Sequence, residues 1–193
     1  EWRTFVEAQA FGHFIAPGVG HYPVVAPTQF VLDDAEVLVH FAKPNPVLDA
    51  LDANPRALLS VAGDWAFIPS SWKAIGEEDA ALGIPTTYYA AVQLKGRAEV
   101  RADPSDVADV LRRQLAVFQP STPIADPLVV HSARLGSIRA VVLTVEEVAA
   151  KFKYGGNVDV EHRAAVIEQL RSRGGPGDLA AASHAERRLS PGR

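Results

Sequence analysis

Residues 87–101, with the sequence TYYAAVQLKGRAEVR, are the stretch that decides the fold. Aromatic and β-branched residues are enriched in β-strands, and this stretch carries both kinds along its length. Gly96 lies inside the pattern, where a glycine indicates a β-bulge or a corner of a barrel. The stretch therefore predicts one long strand of a barrel-like sheet.

Shorter candidate strands lie on both sides of this stretch, at His21–Leu32, Glu36–Phe41, Arg56–Ala62, Trp65–Pro69 and Ile138–Val145. Helical spacing predicts a helix near the N terminus, another opened by Asp103, and a last one at Val158–Arg171. Asn45 is expected to cap a short helix that starts at Pro46. About six strands joined mostly by short turns, with peripheral helices, predict a mainly β (α+β) fold built as a small antiparallel barrel.

The composition is typical of one globular domain. The chain has 193 residues, of which 48% are hydrophobic and 22% are charged. Beyond Arg171, glycine, proline, alanine, serine and arginine follow one another without a period. We therefore expect a single domain at residues 1–171 and a flexible C-terminal tail at residues 172–193. Because the chain begins at Glu1 and contains no methionine, we expect further residues upstream.

Composition also excludes several classes of function. The absence of cysteine excludes disulfides, thiolate metal sites and cysteine nucleophiles. A net charge of −4 without clustered basic residues argues against nucleic-acid binding. No stretch reaches the roughly 20 apolar residues of a membrane span, and the motifs of nucleotide-binding loops, zinc proteases and serine hydrolases are missing. We expect a cytoplasmic protein that acts on a small molecule.

His40 ends an alternating apolar run and is followed at once by a basic, proline-bracketed turn that contains Lys43 and Asn45. A histidine at a strand end, beside a lysine and a helix N-terminus, suits an anionic cofactor or a metal centre. The alternative is a half-buried histidine that a backbone carbonyl satisfies. A second candidate pair, His13 and His21, flanks a Pro-Gly turn, but it lacks a third metal ligand and is disfavoured.

Three further segments combine a turn with polar or aromatic groups, at residues 68–73, 84–92 and 151–163. Rings, cations and hydroxyls of this kind hold planar, anionic cofactors. The side chains that these segments offer are Ser71, Trp72, Lys73, Thr86, Thr87, Tyr88, Tyr89, Lys151, Lys153 and Arg163.

The order and the residues of these segments resemble those of the PaiB-like FMN-binding proteins, a family of dimeric split β-barrels. The resemblance rests on VHFAKPNP at residues 39–46, IPSSWK at residues 68–73 and IPTTYY at residues 84–89, and it extends to residues 151–157 and to AVI at residues 165–167. It covers nearly all of residues 11–170 and implies a split barrel that forms a homodimer.

The chain departs from that family on the flavin side. Lys43 stands where the family has arginine, Thr87 and Tyr88 replace a Trp-Asn pair, and Lys73 replaces a tyrosine. Lysine cannot reproduce the bidentate grip of arginine on a phosphate. These changes indicate a barrel that is retained while its ligand is changed.

One branch that resembles this family binds haem b instead: the piperazate synthases, which close side-chain N-hydroxylated L-ornithine into a ring by forming an N–N bond. The resemblance implies that His40 is the axial ligand of the haem iron and that Lys43, Lys73, Lys151 or Arg163 pair with its propionates. Thr87, Tyr88 and Tyr89 would line the open face as catalytic residues. The cofactor-binding set also includes Asn45, Ser71, Trp72, Thr86 and Lys153.

Three hypotheses remain open from the sequence. The chain is a haem-dependent N–N-forming cyclase, an FMN-binding regulator or oxidoreductase, or a cofactor-free binding module. An absorbance spectrum separates them, because haem and flavin absorb differently.

Overall fold

The computed structural model describes residues 1–18, 20, 22–123 and 125–189. Within these ranges, seven strands form one sheet in the order β2-β1-β5-β6-β7-β4-β3. The strands are β1 (Phe11–Ala16), β2 (Val24–Gln29), β3 (Val31–Asp33), β4 (Glu36–Ala42), β5 (Arg56–Ile68), β6 (Thr86–Arg101) and β7 (Ile138–Lys153). The helices are α1 (Trp2–Gln9), α2 (Pro46–Ala53), α3 (Pro104–Phe118), α4 (Pro127–Val130), α5 (Ser132–Leu135), α6 (Val160–Arg173) and α7 (Asp178–Glu186), with short 3-10 turns at Ser70–Lys73 and Ala80–Leu82. The prediction of a mainly β fold with peripheral helices is confirmed.

The chain forms two compact units, and the strands β5, β6 and β7 run through both. The first unit contains Glu1–Val61 and Val92–Ala149, and the second contains Ala62–Ala91 and Ala150–Arg193. This division leaves the single domain at residues 1–171 as a prediction.

In the first unit, β4 has buried side chains on both faces, and helix α3 covers one of these faces. Val37 and Val39 point to one face, while Leu38 and His40 point to the other, as the period of two in a strand requires. The register pairs His40 with Ala140 of β7. Helix α3 packs over the Leu38 face and completes a cluster of Leu38, Val107, Ala108, Val110, Ala140 and Val142.

Helix α2 begins where the sequence predicts. The Asn45 side chain accepts a hydrogen bond from the backbone N–H of Val47, and Pro46 occupies the first helical position. Both features are local, since a cap needs only its own helix to form.

The predicted strand His21–Leu32 is wrong in its continuity. The structure breaks it into β2 and β3 at Phe30, whose side chain is buried and whose N–H donates to the carbonyl of Ala10. His13 pairs with Pro27 across the β1–β2 hairpin, whereas His21 lies outside the described residues.

Two other strands are longer than predicted. The segments Arg56–Ala62 and Trp65–Pro69 join into the single strand β5, and β7 continues to Lys153 beyond the predicted end at Val145. Gly96 of β6 permits a close backbone approach to β7, because a Cβ atom at this position would lie 1.9 Å from the carbonyl oxygen of Thr144.

In the second unit, a helix occupies much of the segment that the sequence predicts to be a flexible tail. Helix α6 extends to Arg173, and α7 follows with Ala181, Ala182 and Ala185 buried. Asp178 is also buried, and it accepts hydrogen bonds from the Arg173 guanidinium and from the Gly175 N–H. The sequence did not predict α7, because a buried ion pair and an alanine face replace the apolar periodicity that marks most helices, and the flexibility of residues 172–193 stays a prediction.

Candidate functional site

The histidine predicted as a cofactor ligand is held by a side chain of α3. The Nδ1 atom of His40 lies 2.7 Å from Oε1 of Gln114, and the Nε2 atom of Gln114 donates to the carbonyl of Leu38 at 3.1 Å. Gln114 is only 4% exposed, while His40 is half-buried. His40 therefore has an amide partner, rather than the backbone carbonyl of the alternative interpretation.

This pair of hydrogen bonds assigns the tautomer of His40. A carbonyl oxygen can only accept, so the Leu38 carbonyl requires the NH2 group of Gln114 and leaves Oε1 to face the imidazole. Nδ1 of His40 must then carry the proton. The lone pair is left on Nε2, and this is the form of histidine that coordinates a metal ion.

Gln114 was missed by sequence reasoning, although a signal exists. It lies at helical spacing from Val107, Val110 and Leu111, so the residue is a single polar interruption of an apolar stripe. Because buried polar side chains are almost always hydrogen-bonded, Gln114 was a candidate to hydrogen-bond a functional side chain.

The turn after β4 places the other two predicted residues of this unit. Lys43 is exposed and its backbone N–H donates to the carbonyl of Ser137 at 2.8 Å. The Asn45 side chain is used to cap α2. Lys43 thus offers a cation close in sequence to His40, whereas the Asn45 carbonyl already has a structural partner.

In the second unit, Tyr88 is the most unusual of the predicted residues. Its side chain is 1% exposed, and its hydroxyl has no hydrogen-bond partner within the described residues. Its ring meets that of Tyr154 edge to face, with the centroids 6.0 Å apart. Burial raises the pKa of the Tyr88 hydroxyl, and the nearby Arg163 charge acts in the opposite direction.

Gly155 makes room for the Tyr88 hydroxyl. The glycine has φ +70°, and a Cβ atom on it would lie 2.2 Å from the hydroxyl oxygen. Only glycine fits this position, since any side chain would meet both the left-handed backbone and the hydroxyl.

The predicted catalytic residues do not share one face of β6. Thr87 and Tyr89 are half-buried and lie on one face, whereas Tyr88 is buried on the other. Thr86 shares the face of Tyr88. The three residues 87–89 therefore cannot act together from one side of the strand.

Arg163 is engaged by backbone carbonyls. Its Nε donates to the carbonyl of Gly155 at 2.9 Å, and its two terminal nitrogens donate to the carbonyls of Val158 and Arg188. The side chain is also only 6% exposed, so these contacts give Arg163 a structural role. Its predicted contact with a cofactor stays a prediction.

The remaining predicted residues of the second unit lie on a turn and on a strand end. Ser71, Trp72 and Lys73 form the 3-10 turn, and the guanidinium of Arg173 covers the Trp72 ring at 4.4 Å. Lys151 and Lys153 are exposed on the same face of β7. The lysines are accessible cations, whereas one face of the Trp72 ring is already taken.

An ion-pair cluster lies in the same unit. His162 bridges Asp159, at 2.8 Å from Nδ1, and Glu78, at 2.9 Å from Nε2. The hydrogen bonds of Asp159 and then Glu78 raise the pKa of His162, while hydrogen bonds with His162 lower the pKa of Asp159 to about 2. Glu78 therefore ties its loop to α6.

Two kinds of feature, a metal-ligand cluster and a membrane-spanning helix, are absent from the residues that the structure describes. The residues placed there contain no group of three or more histidine, aspartate or glutamate side chains that would hold a metal ion. Among the same residues, no helix has both the length and the apolar character that crossing a membrane requires.

A family model described as "Putative FMN-binding domain" matches residues 1–149. The chain belongs to this family. The resemblance to FMN-binding split barrels, predicted from the segments around residues 39–46, 68–73 and 84–89, is thereby confirmed. A search of curated proteins gave no match.

Solved structures show the same fold at low sequence identity. The flavocytochrome Anf3 from Azotobacter vinelandii is 21% identical with a TM-score of 0.61, over 78% of this chain and 65% of that protein. The FAD and haem binding protein from Mycobacterium smegmatis is 19% identical with a TM-score of 0.60, over 89% of this chain and 76% of that protein. The chain therefore spans less than two thirds of the flavocytochrome, and its fold is a split β-barrel.

Proposed function

We propose that this chain binds haem b through His40 and closes a side-chain N-hydroxylated L-ornithine into a ring by forming an N–N bond. The observation that carries the proposal is the hydrogen bond between His40 and Gln114, which leaves the lone pair of the imidazole on Nε2. A neutral imidazole with its other nitrogen hydrogen-bonded is the usual arrangement of a histidine that binds iron.

Two further observations support haem as the cofactor. The flavocytochrome and the FAD and haem binding protein, which are named for such cofactors, share the fold of this chain. Lys43 lies three residues after His40 in the same unit and is exposed, and a cation of this kind pairs with a haem propionate. In the proposal Lys43 holds a propionate, whereas Arg163 maintains the local backbone of the second unit.

The proposed reaction balances without an external oxidant or reductant. The α-amino nitrogen bonds to the side-chain nitrogen, the N–O bond breaks, and the hydroxyl leaves as water with a proton from the amine. Haem iron, when bound, supplies Lewis acidity at the hydroxylamine oxygen. Tyr88 remains protonated because burial raises the pKa of its hydroxyl, so it is suited to donate a hydrogen bond rather than to act as a base.

FMN binding is the second candidate, and the family match over residues 1–149 favours it. In that case Lys43 would face the FMN phosphate, and His40 would coordinate no metal. The substitution of lysine for the arginine of related proteins at position 43 weakens this candidate, because a phosphate is gripped best by two parallel N–H groups.

An absorbance spectrum of the purified chain, before and after addition of hemin or FMN, tests the proposal. We expect a Soret band that is lost in His40→Ala and retained in His13→Ala, since His13 is an exposed histidine on β1. The haem-loaded chain should then release water from N-hydroxyornithine to give the cyclic product. A flavin spectrum without uptake of haem would overturn the proposal in favour of FMN.

We also propose that the chain forms a homodimer, as the resemblance implies. The support is a pair of exposed aromatic side chains, Trp65 and Phe67, on one face of β5. Exposed apolar side chains grouped in this way mark interaction surfaces. Sedimentation of the wild type and of Trp65→Ser should show a dimer and a weakened dimer, and a monomeric wild type would refute the proposal.

A further inference from the structure

Gln114 is a buried amide on the apolar stripe of α3, and packing alone does not account for it. Val110 and Val107, on the same stripe, are fully buried and apolar. An alkyl side chain at position 114 would fill the space without the desolvation of an amide, which is costly unless both ends are hydrogen-bonded. Both ends of Gln114 are bonded, so its role lies in what it bonds.

We propose that Gln114 is the positioning residue of the axial ligand: it locks His40 in the Nδ1–H tautomer and fixes the plane of the ring, and thereby sets how tightly the chain holds haem. The inference deepens the proposed function and rests on it for the haem, but the tautomer itself is a property of the chain alone.

The geometry gives Gln114 only one orientation. Leu38 and His40 are two residues apart on β4 and project from the same face, so one side chain from α3 reaches both the Leu38 carbonyl and the imidazole. If the Gln114 amide were rotated by half a turn, its oxygen would face the carbonyl oxygen of Leu38. Its NH2 group would then face the Nδ1–H group of His40. The carbonyl of Leu38 thus controls the amide, and the amide controls the proton on His40.

The consequence for the ligand is direct. A histidine without such a partner exchanges its proton between the two ring nitrogens and rotates about its side-chain bonds. Haem binding must then select one tautomer and one orientation of the ring. With Gln114 in place, Nε2 is already unprotonated and the imidazole is held at its other nitrogen. Loss of such a hydrogen-bond partner typically weakens the binding of the metal by about 10–100-fold.

Three variants test the inference. Gln114→Leu removes both hydrogen bonds, and Gln114→Asn keeps an amide but is one methylene too short to reach. Gln114→Glu keeps an oxygen that accepts from Nδ1–H but loses the donor to the Leu38 carbonyl, so it separates the two hydrogen bonds. Gln119→Leu, at the exposed end of the same helix, is the matched control.

The first readout is the ¹⁵N NMR spectrum of the imidazole in the haem-free chain. We expect Nδ1–H and an unprotonated Nε2 for His40 in the wild type, in Gln114→Glu and in Gln119→Leu. Gln114→Leu and Gln114→Asn should show exchange between tautomers. Retention of the wild-type tautomer in these two variants would overturn the inference, and the result does not depend on haem. If Gln114→Leu does not fold, Gln114→Asn keeps the test intact, since it retains a polar side chain of similar shape.

The second readout is hemin affinity together with the reduction potential of the bound haem. Gln114→Leu and Gln114→Asn should bind hemin about 10–100-fold more weakly than the wild type and shift its potential, while Gln119→Leu should not. If the wild type shows no His40-dependent Soret band but the tautomer depends on Gln114, the proposed function fails and the positioning role stands. If haem binds through His40 with equal affinity and potential in all variants, the positioning role fails and the proposed function stands.

Discussion

Replacement of Tyr88 by phenylalanine should make the protein more stable. The Tyr88 hydroxyl is buried and lacks a hydrogen-bond partner within the described residues, so folding removes it from water without compensation. An unsatisfied buried polar group costs about 1–3 kcal/mol, and Tyr88→Phe should raise the free energy of unfolding by an amount in that range. The edge-to-face contact with Tyr154 is retained, because phenylalanine keeps the ring.

The assay is equilibrium unfolding in urea, in which Tyr88→Phe should move the midpoint upward without a change in slope. Tyr89→Phe is the matched control: its ring is half-buried on the other face of β6, and its substitution should change stability by about 0.5 kcal/mol or less. A Tyr88→Phe variant that is less stable than the wild type would refute the reasoning, because it would mean that the hydroxyl has a partner.

Two other predictions concern the same unit. Gly155→Ala should destabilise the protein by about 2–5 kcal/mol, because its Cβ atom is strained in the left-handed backbone and overlaps the Tyr88 hydroxyl. Gly156→Ala is the control: no atom lies within 4 Å of its new Cβ atom, so it should be nearly neutral in the same urea titration. The pKa of His162 is raised by Asp159 and then by Glu78, so its contribution to stability is complete below the unfolded pKa of about 6.5 and is lost as the pH rises through the higher folded pKa. The urea midpoint of the wild type, relative to that of His162→Gln, should therefore fall as the pH rises from about 6.5 through the higher folded pKa, and a constant difference would contradict the proposed link. The carboxyl of Asp159, whose pKa is lowered to about 2, contributes stability above its unfolded pKa of about 3.9, and this is lost as the pH falls towards 2.

Neighbouring elements of the first unit hold His40 in place. The first unit presents His40 from a strand that is anchored on both sides, by β7 in the sheet and by α3 through Gln114. An anchored strand suits a ligand whose direction must be fixed, since regular elements position functional groups more accurately than loops do.

The sequence alone determined the features that depend on short-range chemistry. The long strand β6, the strand that carries His40, the Asn45 cap with Pro46 and the helix after Asp103 are each encoded by neighbouring residues, so that they were predictable without knowledge of the fold. Family membership was also readable, because the turn segments keep their order along the chain.

Only the tertiary structure decided which polar groups meet. The bond between His40 and Gln114 spans 74 positions, and the contact of Gly155 with Tyr88 joins a loop to a distant strand. The C-terminal helix α7 was unpredictable for a related reason, since alanines and a single Arg173–Asp178 pair give almost no periodic signal until α6 is there to pack against. Local propensity fixes the elements of this protein, whereas the proton on His40 and the unpaired Tyr88 hydroxyl follow from desolvation, which exists only when distant segments have come together.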